Sequence, residues 1–157
     1  MWIGTYGGGL NRLRDGKLTT LTTHDGLSHD QVQSIYEDDE QNLWVGTFTA
    51  GLNKVSNGTV TQFSTKNGLS NDGIRGICKS RDGDMWVATN NGLNRIHNTT
   101  ITKFSPKDGL PPNNIFSIIE DKKSDVWFGC FGGVCRYHAG TFATYGTKDS
   151  LNADVVF

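Results

Sequence analysis

The feature that most constrains this chain is a repeat. Trp2, Trp44, Trp86 and Trp127 recur every 41 or 42 residues, each followed by an apolar residue and then Gly or Ala. Gly9-Leu10-Asn11, Gly51-Leu52-Asn53 and Gly92-Leu93-Asn94 keep the same step, with Gly133-Val134-Cys135 as the fourth copy. So do the turn tripeptides Asp25-Gly26-Leu27, Asn67-Gly68-Leu69, Asp108-Gly109-Leu110 and Asp149-Ser150-Leu151, and the column Leu21, Phe63, Phe104, Tyr145. Four registers that agree within one residue define a repeated supersecondary unit, which cannot bury its apolar face without neighbours.

Each unit holds four strand-sized segments. In the second copy these are strand A near Val32–Glu37, B near Leu43–Thr47, C near Gly51–Val55 and D near Thr59–Phe63. The joints carry turn residues, as in Ser56-Asn57-Gly58 and Thr65-Lys66-Asn67-Gly68. Twenty glycines against three prolines fit many short strands joined by tight turns. Four antiparallel strands per unit of this length predict an all-β chain of β-propeller blades, about four four-stranded antiparallel sheets in a partial or incompletely closed propeller. A solenoid of shorter coils suits four strands per unit poorly. The column Ser34, Gly76, Ser117 is small and is expected on the innermost strand, whereas the tryptophans are expected to pack between neighbouring sheets.

The 157 residues read as one propeller segment, with repeats at roughly 1–30 (a partial blade), 31–72, 73–113 and 114–157. Met1 aligns with Leu43 and Phe157 with Gln33, so the chain enters one blade at strand B and stops inside a following strand A. Three arrangements are open: a segment of a larger propeller, copies that associate to complete a ring, or a self-contained four-bladed ring short of one inner strand. The expected neighbours are therefore further blades or a second copy of the chain. A net charge of −1, with acids and bases interspersed, gives no footprint for nucleic acid. No run of 18 apolar residues predicts membrane contact, and Met1-Trp2-Ile3-Gly4 does not read as a secretory leader.

The unit pattern is Asp-x-x-x-x-Leu-Trp-Val-Gly-Thr, then Gly-Leu-Asn-Lys/Arg, then Phe, then Asp/Asn-Gly-Leu, then Ile-x-x-Ile. It is clearest over Asp39–Val55 with Phe63–Leu69, and Asp82–Ile96 with Phe104–Leu110. This pattern resembles the two-component regulator propeller repeat, and the resemblance covers essentially the whole chain. In that family such repeats form paired seven-bladed propellers in the periplasmic half of hybrid sensor histidine kinases of Bacteroidetes. These receptors sense oligosaccharides and switch on polysaccharide-degrading genes. The resemblance implies a non-catalytic sensor segment in the periplasm or another extracytoplasmic space, with an oligosaccharide as ligand. The kinase, receiver and DNA-binding parts are not in this sequence. The fourth repeat departs from the pattern at Trp127-Phe128-Gly129-Cys130 and Gly133-Val134-Cys135.

Strand direction puts the D–A and B–C loops at one end of each sheet and the A–B and C–D loops at the other. The first end gathers Tyr6, His29, Asp30, Phe48, Asn71, Asp72, Asn90, Asn113, Asn114 and Phe131, the candidate ligand contacts. Aromatic rings beside amides, acids and imidazole suit a sugar, whose apolar ring faces stack while its hydroxyls pair. The competing reading is that these are ordinary polar loops, with Asn and Asp chosen for turn geometry. The other end is acidic, with Asp38-Asp39-Glu40, Arg81-Asp82-Gly83-Asp84 and Asp121-Lys122-Lys123-Ser124-Asp125, and none of these has calcium-loop spacing. The Ser80–Trp86 stretch is reminiscent of the structural Asp-box hairpin.

Cys78 shares a column with Tyr36 and Ile119 and reads as a buried small hydrophobe. Cys130 and Cys135 replace Thr5, Thr47, Thr89 and Asn11, Asn53, Asn94 in one and the same blade. Two independent small substitutions explain them, or a Cys130–Cys135 disulfide across the hairpin that suits an oxidising compartment. His24, His29, His97 and His138 have no zinc-site spacing, and neither metal nor cofactor is expected. Streptogramin lyases have a similar Trp-containing repeat, usually Trp-Phe-Thr-Glu, but no acid follows these tryptophans. A lyase-like enzyme and a structural or protein-binding propeller remain as alternative functions.

Overall fold

In the computed structural model, residues 1–111, 114–153 and 155–157 are described, and they fall into two compact units, Met1–Ile74 and Arg75–Phe157. In the first unit β1 (Trp2–Gly4), β2 (Leu10–Arg14) and β3 (Lys17–Leu21) form a three-stranded antiparallel sheet. β4 (Val32–Glu37), β5 (Leu43–Thr47), β6 (Leu52–Ser56) and β7 (Thr59–Phe63) form a four-stranded meander in chain order. β8 (Ile74–Lys79), β9 (Met85–Thr89), β10 (Gly92–His97) and β11 (Thr100–Phe104) form the next meander. The last comprises β12 (Ile115–Glu120), β13 (Val126–Cys130), β14 (Gly133–His138) and β15 (Thr141–Tyr145). One 3-10 turn follows each outer strand, at Thr23–Asp25, Thr65–Asn67, Pro106–Asp108 and Thr147–Asp149. The described residues contain no helix long and apolar enough to cross a membrane.

The repeat fixes the strands closely. Strands A, B and D of the second copy lie where the sequence predicts, and the first sheet has three strands because the chain enters it at strand B. Strand C begins one residue late, at Leu52 rather than Gly51. Gly51 adopts φ +87°, and its carbonyl accepts from both the Thr47 backbone N–H (3.0 Å) and the Thr47 hydroxyl (2.7 Å). An added Cβ there would stand 2.1 Å from the Phe63 carbonyl oxygen, so the hairpin admits only glycine. Thr5 and Thr89 cap the equivalent turns through Gly9 and Gly92.

Each unit has its own core. Leu10, Leu27, Leu43 and Val45 are buried in the first, with Trp2, Leu21, Val32, Ile35 and Val55 packed against them. In the second, Trp86, Leu93, Leu110, Ile115, Ile118, Val126 and Phe128 form the centre, backed by Phe104, Tyr137 and Phe142. The tryptophans have matching surroundings. Trp44 stacks on Phe63, Trp86 on Phe104 and Trp127 on Tyr145, with centroids 5.7–5.9 Å apart. A cation from strand C lies over each ring: Arg12 on Trp2, Lys54 on Trp44, Arg95 on Trp86 and Arg136 on Trp127.

Of the two alternatives for Cys130 and Cys135, the disulfide is not formed, and all three cysteines are free and buried. The strand register explains this, because Cys130 stands opposite Gly133 and Cys135 opposite Phe128. The two are diagonal neighbours, typically about 7–8 Å apart between Cα atoms and beyond ordinary disulfide reach. Cys130 Sγ takes the threonine's role toward the Gly133 carbonyl. Burial pushes Cys135 up to about 11 and raises Cys78 and Cys130, so these thiols stay protonated at neutral pH.

Candidate functional site

The D–A and B–C loops are set by carboxylate-braced turns. Asp30 accepts from the Thr23 backbone N–H (2.8 Å) and hydroxyl (3.2 Å), while its own carbonyl accepts from Gly7 and Gly9. Asp72 does the same for Thr65 (2.6 and 2.9 Å), and its carbonyl accepts from Gly51. Each aspartate therefore ties a 3-10 turn to the neighbouring B–C hairpin with both carboxylate oxygens engaged. Below these turns Leu27, Leu69 and Leu110 are buried, and Asn53 grips Ser28 from both sides of its amide. Two other candidates are also committed to backbone: His29 Nδ1 accepts from the Gln31 N–H and Asn71 Oδ1 from the Gly73 N–H.

On this frame the first unit presents an aromatic pair. Tyr6 and Phe48 directly follow β1 and β5, and their rings meet edge to face with centroids 6.2 Å apart. Gln31 holds both loops, bridging Tyr6 through backbone and accepting from the Phe48 N–H at 3.0 Å. Tyr6 is 78% exposed, which a core aromatic never is, and leaves both its ring face and its hydroxyl available.

The second unit adds polar groups and a second aromatic cluster. Arg75 Nε donates to Asn90 Oδ1 at 2.5 Å. Asn90, Asn91, Pro106, Leu110, Pro111 and Asn114 line a cavity of about 190 Å³. Its wall is shaped by the Ser105–Asp108 turn, where the Ser105 backbone N–H and then its hydroxyl hold the Asp108 carboxyl below the usual carboxylate range. Nearby, Phe116 meets Phe131 edge-on and Phe157 at a tilt, each at 5.0 Å. Phe131 is 43% and Phe157 83% exposed. The cavity is smaller than the roughly 300–1,000 Å³ that encloses a drug-sized ligand, so it suits one ring or chain end.

The structure thus pairs Tyr6 with Phe48, brings Asn90 and Asn114 to one cavity and puts Phe131 in an aromatic cluster. It gives Asp30, Asp72, His29 and Asn71 work within the loops, and Asn113 lies outside the described residues. Sequence reasoning missed Arg75, Phe116 and Phe157. These occupy one column with Gln33, beside the small residues of strand A, and a β-bulge lies there: the register skips Gln33 between Val32 and Ser34, and Phe116 between Ile115 and Ser117. A bulge turns its extra residue out of the alternating pattern. Among the described residues no three His, Cys, Asp or Glu side chains converge as metal ligands do.

These sheets are β-propeller blades, as a solved propeller of the same chain trace shows. The extracellular domain of a hybrid two component system from B. thetaiotaomicron superposes with a TM-score of 0.87 at 29% identity over 98% of this chain. More particularly, residues 26–49, 68–91 and 109–132 match the family model of the two component regulator propeller. A second extracellular domain from B. thetaiotaomicron, of a one component system, shares the fold at 21% identity over 99% of this chain, with a TM-score of 0.82. The chain spans 22% of the length of each of these two structures. Virginiamycin B lyase from Staphylococcus aureus shares the fold at 17% identity, with a TM-score of 0.70, over 89% of this chain and 49% of the lyase. No curated protein matches the chain in sequence.

Proposed function

We propose that this chain is part of an extracytoplasmic sensor propeller of a hybrid two-component system, located in the periplasm, that recognises an oligosaccharide and controls genes for polysaccharide use. The observation that carries this reading is that, taken unit by unit, exposed aromatic rings and amides stand on or beside the D–A and B–C loops. Tyr6 with Phe48, and Phe131 with Phe116 and Phe157, offer apolar faces. Asn90, Asn91 and Asn114 offer donors and acceptors in a cavity sized for one sugar residue. The likeness to the extracellular domain of a hybrid two component system supports the cellular role. Signalling then rests on a difference in sugar affinity between two arrangements of the parent receptor.

Calorimetry against a panel of plant and host oligosaccharides tests the recognition step. The expected result is saturable heat with at least one member, weakened about three- to tenfold by Tyr6→Ala or Phe131→Ala through loss of stacking. No heat with any oligosaccharide, combined with capture of a defined protein partner, would favour the protein-binding propeller instead.

A further inference from the structure

Trp86 differs from its equivalents at a single atom. Trp44 Nε1 donates to Asp38 Oδ2 and Trp127 Nε1 to Asp121 Oδ2, both at 2.9 Å across the A–B turn. In the third repeat that turn position is Ser80, whose shorter side chain donates to Asp82 and to the Asp84 carbonyl. The Trp86 N–H is left buried with no hydrogen-bond partner, on a ring only 2% exposed. By its equivalence with Trp44 and Trp127, this N–H faces the Ser80 side of the turn.

A cavity of about 260 Å³ opens at the same place, between the two sheets of the second unit. Ser80, Asp82, Trp86 and Arg95 line one side, and Val126 and Tyr137 the other. Arg95 Nε is a second buried donor without a hydrogen bond; Asp84 Oδ2 lies 3.5 Å away, an ion pair whose geometry does not make one. Tyr137 packs its ring 4.8 Å from Trp86, and its hydroxyl is a long 3.5 Å from Arg95. Buried donors without partners are rare in native proteins, and each calls for a bound acceptor or a stated cost.

The groups facing the cavity restrict what fits. Two donors without a hydrogen bond, the Trp86 N–H and Arg95 Nε, disfavour a cation. Asp82 at the mouth, with Arg95 already opposed by Asp84, disfavours an anion. A neutral molecule carrying both donors and acceptors remains, and the Trp86 and Tyr137 rings favour one with an apolar face. We propose that this cavity is a second binding site, for a single neutral sugar ring or a similar cyclic polyol. One hydroxyl oxygen accepts from the Trp86 N–H after a small adjustment of Ser80, and others pair with Arg95, Asp82 and the Tyr137 hydroxyl. The site does not depend on the oligosaccharide reading above, since it lies among A–B and C–D loops at the opposite end of the sheets.

The test follows the indole N–H signals of the four tryptophans by NMR while D-glucose, D-galactose or myo-inositol is titrated into the whole chain, with Trp86→Phe giving the assignment. The expected result is a saturable shift of the Trp86 signal alone, with Trp44 and Trp127 held by their aspartates. Ser80→Asp restores the residue of the second and fourth repeats, supplies an internal acceptor and should weaken the shift at least about tenfold. Tyr6→Ala and Phe131→Ala should leave it unchanged, which separates this site from the loop site. A Trp86 signal unmoved by all three compounds, as for a buried water only, overturns the proposal. So does a shift that persists unaltered in Ser80→Asp.

Discussion

A tryptophan in this repeat does two jobs, and substitution separates them. The ring stacks on the aromatic residue of strand D, and the N–H locks the A–B turn. Trp44→Phe should lose both, leaving Asp38 a donor short, whereas Trp86→Phe loses only ring volume. Chemical denaturation should show Trp44→Phe destabilised by about 1–3 kcal/mol more than Trp86→Phe. The lock is also visible in pH. The Trp127 N–H leads the causes that hold the Asp121 carboxyl below its ordinary 3.8. A carboxylate depressed in the folded state contributes stability above its unfolded pKa and loses it as pH falls through the folded value. Thermal melts from about pH 5 to pH 2 should therefore show a steeper loss for the parent chain than for Asp121→Asn, and equal slopes would refute the lock. The buried, protonated thiols should resist a thiol reagent in the native state, and all three should react after denaturation.

Hairpins and braced turns carry the stability of each element. Gly51→Ala forces a side chain against the Phe63 carbonyl at positive φ and should cost at least about 2 kcal/mol, measured by urea unfolding. Gly58→Ala, at φ +79° with open space around it, should cost about 1 kcal/mol. Asp72→Ala removes two hydrogen bonds to Thr65 and should cost about 1–3 kcal/mol, with faster hydrogen exchange confined to the 65–74 loop. At this scale the sequence was most readable, because Trp, Gly and turn tripeptides each mark one point in the strand order. It was least readable where residue type and role diverge. Asp30 and Asp72 look like ligand contacts by type, but their oxygens are spent on threonines. Cys130 and Cys135 share a hairpin, yet only the register reveals that they sit diagonally. Phe116 gives no signal by type, because the bulge that sets it apart within β12 leaves no trace in composition.

At the scale of the molecule, near-zero and evenly mixed charge bears on recognition. A surface without a dominant field steers neither anions nor cations, so a neutral ligand should be bound by stacking and hydrogen bonds alone. Its dissociation constant should change by less than about twofold between low and high salt, and a strong dependence would point to a charged ligand instead.

The bulge in strand A has a longer reach than its single residue. Because Gln33 and Phe116 are skipped by the ladder, what stands there is excused from matching the opposing strand. The same column holds arginine at Arg75 and phenylalanine at Phe157. A repeat built this way can exchange the chemistry of this column, sheet by sheet, while its interior stays as it was. New specificity can then arise by point change without refolding the scaffold beneath it.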